Sequence, residues 1–244
     1  MTGCCTLPPR EAPAIPLWIN GRPVLAMVPV FHEIRESATQ RLIRRVPMVD
    51  TTLAATAIEN ANQAPGLLPA AMKGFLQELV EALQELEAHF AGLSAVESQS
   101  HLDAGKADVA HALVCVQDLL AQPIIEAVRD EHGVGHSTLA LAGPGMPLSA
   151  AVKLVLPVIV RGGAVTLVPN ADAPSCALAL AELCGQCGLL DGLFNVVYVY
   201  DDVVQALVNE PGVGQVRLFG PSAWAQRWQT AAMDWPAPCE LVLA

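Results

Sequence analysis

The chain has 244 residues, of which 53% are hydrophobic and 15% charged, with a net charge of −11. That length suits one large domain or two small ones, and so apolar a chain buries a core without a metal or disulfide staple. The acidic balance argues against nucleic acid as a partner, because phosphate binding needs a basic face. The longest apolar stretch, 148–160, is interrupted by Lys153 and falls short of the ~20 residues that a bilayer span needs, so no membrane segment is expected.

Residues 1–15 contain three prolines and are expected to form a flexible tail. Leu17-Trp18-Ile19, Asn20-Gly21 and Arg22-Pro23-Val24 predict a hairpin with an Asn-Gly turn, and a further strand is expected over 40–46. Six arginines against three glutamates lie in residues 1–45. They are expected on a solvated strand edge, where charge discourages edge-to-edge pairing. Asp50 or Thr51 caps a helix over 51–63. One longer helix then carries Leu76, Leu79, Val80, Leu83, Leu86, Phe90 and Leu93 on a single apolar stripe. Another helix spans 103–121.

From Thr138 onwards short apolar runs alternate with helical segments. Strands are predicted at 138–142, 164–168, 194–199, 215–219 and 239–243, with helices at 147–161, 173–187, 201–209 and 222–232. Such alternation implies parallel strands joined by right-handed crossovers. The expected fold is α/β: a doubly wound, Rossmann-like parallel sheet of about five strands with helices on both faces, plus small amino-terminal strands in a separate layer. Ligands bind outside the carboxyl ends of such strands, which singles out 143–147, 169–174, 200–202 and 220–222.

Seven cysteines, at 4, 5, 115, 176, 184, 187 and 239, form an odd set with no secretory signal before them. Reduced thiols in the cytoplasm are expected. Cys184 and Cys187 form one C-x-x-C with no second pair at zinc spacing, so buried packing is expected there and no metal.

The same segments carry a family resemblance. Ile19-Asn20-Gly21, Arg44-Arg45-Val46-Pro47, Glu97-Ser98-Gln99-Ser100, Pro147-Leu148, Lys153-Leu154, Gly162-Gly163-Ala164-Val165 and Gly192-Leu193-Phe194-Asn195-Val196-Val197 follow the order and spacing of aldehyde dehydrogenases. The chain resembles their amino-terminal, NAD-binding half over 16–244. The resemblance implies a cofactor cleft at Gly145, Val168, Pro169, Gly220 and Ser222. It also implies that most contacts there are lost.

Where the family has Pro-Trp-Asn, whose Asn amide donates to the reaction's oxyanion, this sequence reads Gly143-Pro144-Gly145. Where the family holds the cofactor's ribose with Lys-Pro-Ser-Glu, it reads Val168-Pro169-Asn170-Ala171; Asp172, one residue on, is a candidate substitute. The Gly-Ser turn under the pyrophosphate reads Gly220-Pro221-Ser222. Ser222 is expected to cap the helix there, while Pro221 removes a backbone donor. Val242 stands in the position of the general-base glutamate, and the family's nucleophilic cysteine belongs to the half that follows. Only residues 122–137 occupy the place of the family's intersubunit hairpin, which argues against family-style dimerisation.

The resemblance thus implies an aldehyde dehydrogenase-like protein, catalytically incompetent by itself, with no or weak NAD(P) binding. Such a protein would act by association with a full-length aldehyde dehydrogenase or another protein. An alternative is the nucleotide-binding subunit of a split NAD(P)-dependent enzyme whose catalytic half is another chain. A third is the product of a degenerating gene.

Overall fold

The computed structural model describes residues 12–123 and 137–242. The space expected for an intersubunit hairpin lies mostly outside the described residues. So do most of the tail, with Cys4 and Cys5, and the end of the last strand. The described part of the tail is anchored: Ile15 N–H donates to the Arg45 carbonyl at 3.0 Å, and Ile15 is buried.

The hairpin forms as β1 (Leu17–Ile19) and β2 (Arg22–Val24), with Asn20 and Gly21 both at positive φ in the turn. It does not stand in a layer of its own. β1 runs antiparallel to β7 (Phe194–Val196), pairing Trp18 with Val196. The Asn195 side chain clips the join by accepting from Asn20 N–H at 2.9 Å. The amino-terminal strands therefore divide. β1 and β2 extend the main sheet, while β3 (Phe31–Arg35) and β4 (Leu42–Pro47) form a separate two-stranded sheet. Nor is the basic segment wholly a solvated edge, because Arg44 of β4 lies 3.4 Å from the buried Glu97 carboxylate.

Asp50 caps α1 (Thr51–Gln63), its carboxylate accepting from Leu53 N–H at 3.0 Å. The single long helix expected next is two: α2 (Pro69–Glu85) and α3 (Glu87–Glu97). They meet at Leu86, which leaves helical geometry and is 38% exposed rather than on the buried stripe. α4 (Leu102–Ala121) packs back on both.

The main sheet has seven strands in the order β2-β1-β7-β6-β5-β8-β9. Within it β5 (Ser137–Ala142), β6 (Val165–Val168), β7, β8 (Val213–Phe219) and β9 (Cys239–Leu241) are parallel, as expected from the alternation. The connecting helices are α5 (Pro147–Val160), α6 (Ser175–Gln186), α7 (Asp201–Leu207) and α8 (Ser222–Ala232). β5 and β6 are buried nearly throughout, as a sheet covered on both faces requires. Among the described residues, no helix is long and apolar enough to cross a membrane.

Candidate functional site

The chain lays down β5 first, adds β6 and β7 on one side and β8 and β9 on the other. The strand order reverses between β5 and β8, where an open α/β sheet leaves a crevice at its carboxyl ends. Gly143 follows β5 and Gly220 follows β8. Gly143 N–H donates to the Phe219 carbonyl at 2.7 Å, drawing the two strand ends together.

The Trp224 indole rests on both glycines. A Cβ on Gly143 would come within 2.7 Å of the indole, and one on Gly220 would meet the ring at 2.7 Å and the Gly143 Cα at 3.0 Å. Only bare backbone seats the ring there. Trp224 sits in the first turn of α8, which begins directly after Pro221. It continues into an aromatic series, with Trp228 6.2 Å away and Trp235 a further 6.0 Å beyond. Arg227 lies 5.3 Å from the Trp228 ring, a cation–π distance, and pairs with Asp201 at 3.0 Å.

Beside Trp224 opens a cleft of about 380 Å³, walled by Leu141, Val168, Val199 and Trp228, with Pro169, Asn170, Ala171 and Arg227 also lining it. His32, carried in from β3, closes one side, and its Nε2 lies 2.7 Å from Asp172 Oδ1. That contact engages the carboxylate nearest in sequence to the position where a ribose ligand was expected, while a second carboxylate, Asp201, lines the cleft and pairs with Arg227.

Of the positions singled out in the sequence, Val168 and Pro169 line this cleft. Gly220 lies beneath Trp224. Gly145 lies in the adjacent loop at φ +91, with open space where a side chain would begin. Ser222 is not the cap expected. It is the first helical residue, Pro221 holds the cap position, and no side chain satisfies that terminus. Phe219, the last residue of β8, is buried with the Lys153 ammonium over its ring at 5.2 Å. Sequence reasoning missed His32 and Arg227. His32 sits on a strand with one buried residue, Ile34, and Arg227 gives no signal of its own apart from its tryptophan neighbour.

Two buried carboxylates hold the site's helices from behind. Asp108 of α4 accepts from Leu148 N–H and Ser149 N–H at the start of α5 and from Ser94 Oγ, each at 2.9 Å. Glu97 accepts from Ser175 N–H at the start of α6 at 2.8 Å. Carboxylates at helix amino-termini gain from both free amides and the dipole. Burial nonetheless pushes the Glu97 carboxyl above its ordinary 4.5, against the lowering by Ser175 and Arg44. These carboxylates are engaged with the scaffold, not aimed at the cleft.

The five described cysteines are free, and burial raises the thiol of every one: Cys115, Cys176, Cys184, Cys187 and Cys239. A raised pKa lowers the thiolate fraction that a nucleophile needs. Cys184 and Cys187 are packed in the core as expected. Among the described residues, no group of three or more His, Cys, Asp or Glu could hold a metal ion.

Residues 140–241 match the family described as the aldehyde dehydrogenase family. A betaine aldehyde dehydrogenase of Mesorhizobium japonicum is 29% identical over 235 residues, which covers 86% of this chain and 46% of that protein. Lactaldehyde dehydrogenase from Escherichia coli superposes with a TM-score of 0.82 at 20% identity, covering 96% of this chain and 53% of that one. A Mycobacterium tuberculosis aldehyde dehydrogenase complexed with NAD+ superposes at 0.81 with 22% identity, covering 96% and 52%. At these identities the structural likeness is one of fold. The chain spans about half the length of these relatives.

Proposed function

Taking residues 140–241 as an aldehyde dehydrogenase family domain, we propose that this chain is an aldehyde dehydrogenase-like protein without catalytic competence of its own, and that it works by association with another protein. The observation that carries this reading is the chemistry of the cleft: no amide donor at Gly145, no charge at Val168 or Ala171, and an Arg227 already paired with Asp201. The dinucleotide that the family's fold implies does not fit these residues. The glycine surface that would approach its pyrophosphate is covered by Trp224, and the two nearby carboxylates are engaged, Asp172 with His32 and Asp201 with Arg227.

Chemically, the described residues offer scaffold rather than catalysis. The buried carboxylates hold helix termini, and the described thiols are kept protonated by burial. Val242, at the position the resemblance gives to a general base, cannot take a proton from water. Association is favoured by apolar surface beside the β2 edge, where Leu25 is 79% exposed and Met27 fully so. The partner we propose is a full-length aldehyde dehydrogenase. Unpaired thiols among the described residues are consistent with a reducing compartment, the cytoplasm.

The test has two arms. Aliphatic and aromatic aldehydes, offered with NAD or NADP, should give no reduced nicotinamide above a buffer blank. On a sizing column, mixing with a full-length aldehyde dehydrogenase should shift the chain to an earlier elution volume. Turnover in the first arm refutes catalytic incompetence; co-elution failing across the host's dehydrogenases refutes the proposed partner.

A further inference from the structure

We propose that Trp224 is the residue that shuts a dinucleotide out of this fold: its indole occupies, from within the chain, the crevice over Gly143 and Gly220 where a pyrophosphate would need bare backbone. The proposal deepens the reading that the cleft does not serve NAD, and it rests on that reading.

Two glycines at the ends of adjacent parallel strands, one just before a helix, are the arrangement that lets a phosphate approach backbone amides and a helix dipole. Here both face the same aromatic ring, each at a distance that leaves no room even for a methyl group. An anion directed at the first turn of α8 meets the indole of that same turn, and Pro221 at the cap offers no N–H. Trp228, which is only 4% exposed, lies edge-on to the ring with centroids 6.2 Å apart. Trp224 is therefore half-buried and packed against the core, with the glycines and Trp228 as its neighbours. The 380 Å³ left beside it lies at the small end of ligand pockets, which run from about 300 to 1,000 Å³.

The experiment compares the wild-type chain with Trp224→Ala and Trp224→Phe, each titrated with ADP and with NAD by calorimetry. ADP carries the adenosine and pyrophosphate alone. The alanine variant should tighten both ligands at least about tenfold, while phenylalanine, which keeps a ring on the glycines, should stay close to wild type. A folded alanine variant with unchanged affinity overturns the proposal and leaves the functional reading standing. Micromolar binding of NAD by the wild type overturns both.

Should the alanine variant not fold, Trp224→Leu is judged by the same criterion. Gly143→Ala checks the seat itself, because the new methyl must displace the indole and shift tryptophan emission. An unchanged emission spectrum would show that the ring does not rest there in solution.

Discussion

Arg217 of β8 donates through Nη1 to the carbonyl of Lys153, at 3.3 Å, inside helix α5. That carbonyl is the one whose helical partner would be the N–H of residue 157, and residue 157 is proline. Arg217 thus repairs from the sheet a bond that the helix cannot make. It also donates to the Leu154 carbonyl at 2.9 Å and pairs with Glu240 at 3.1 Å. Being only 4% exposed, it joins the strand beside the crevice to the helix behind it.

Arg217→Met should therefore destabilise the fold by about 2–3 kcal/mol, because buried carbonyls lose a charged donor. Pro157→Ala restores the helical N–H, so in that background the same substitution should cost measurably less. Urea denaturation of the four proteins gives the coupling directly. Strict additivity would show that Arg217 does not serve the proline's carbonyl.

Asp108 offers a second check on the scaffold. Its carboxylate accepts two α5 amides and the Ser94 hydroxyl, so Asp108→Ala should cost about 3 kcal/mol, with Asp108→Asn costing less since one acceptor oxygen remains. Equal losses for the two variants in denaturant would argue that packing, not capping, is what Asp108 supplies.

Glu97 gives a pH signature. Its folded pKa is raised, with burial the largest cause, so the fold favours the protonated acid. The group's contribution to stability is complete below its ordinary 4.5 and is lost as pH rises through the higher folded value. Glu97→Gln stays neutral throughout. The melting temperature of wild type relative to this variant should therefore fall between acid and neutral pH. A wild-type advantage that grows with pH would mean that the Arg44 pair outweighs burial.

Much of the framework was legible because its signals are local. The apolar runs after Thr138 are buried strands bounded by turns, and Asp50 lies where a cap must lie. The break at Leu86 was not legible, since leucine continues a helical stripe as readily as it ends one. β3 escaped because a strand with only Ile34 buried has almost no apolar alternation. At the site, the sequence showed which polar groups were absent, from Gly145 to Ala171. It could not show what filled their place. Trp224 reads as one more helical residue until β5 and β8 bring Gly143 and Gly220 beneath it, and His32 reaches Asp172 across 140 positions.

Adding charge back provides a gain-of-function test. Val168 and Ala171 both line the cleft, so Val168→Lys with Ala171→Glu, built on Trp224→Ala, should bind NAD more tightly than Trp224→Ala alone. Two hydrogen bonds to charged groups are worth about 1.5–3 kcal/mol each, or roughly one to two powers of ten for each in affinity. Calorimetry showing no gain would mean that the backbone at 168–171 does not present these side chains to a ribose.

A calorimetric titration of NAD into the unmodified chain decides whether the cleft takes the cofactor. A cleft with no charge at Val168 or Ala171 and a glycine seat covered by its own tryptophan should give no saturable heat at ligand concentrations up to the low millimolar range. A saturating isotherm with a micromolar dissociation constant would mean that the cleft holds NAD despite Trp224.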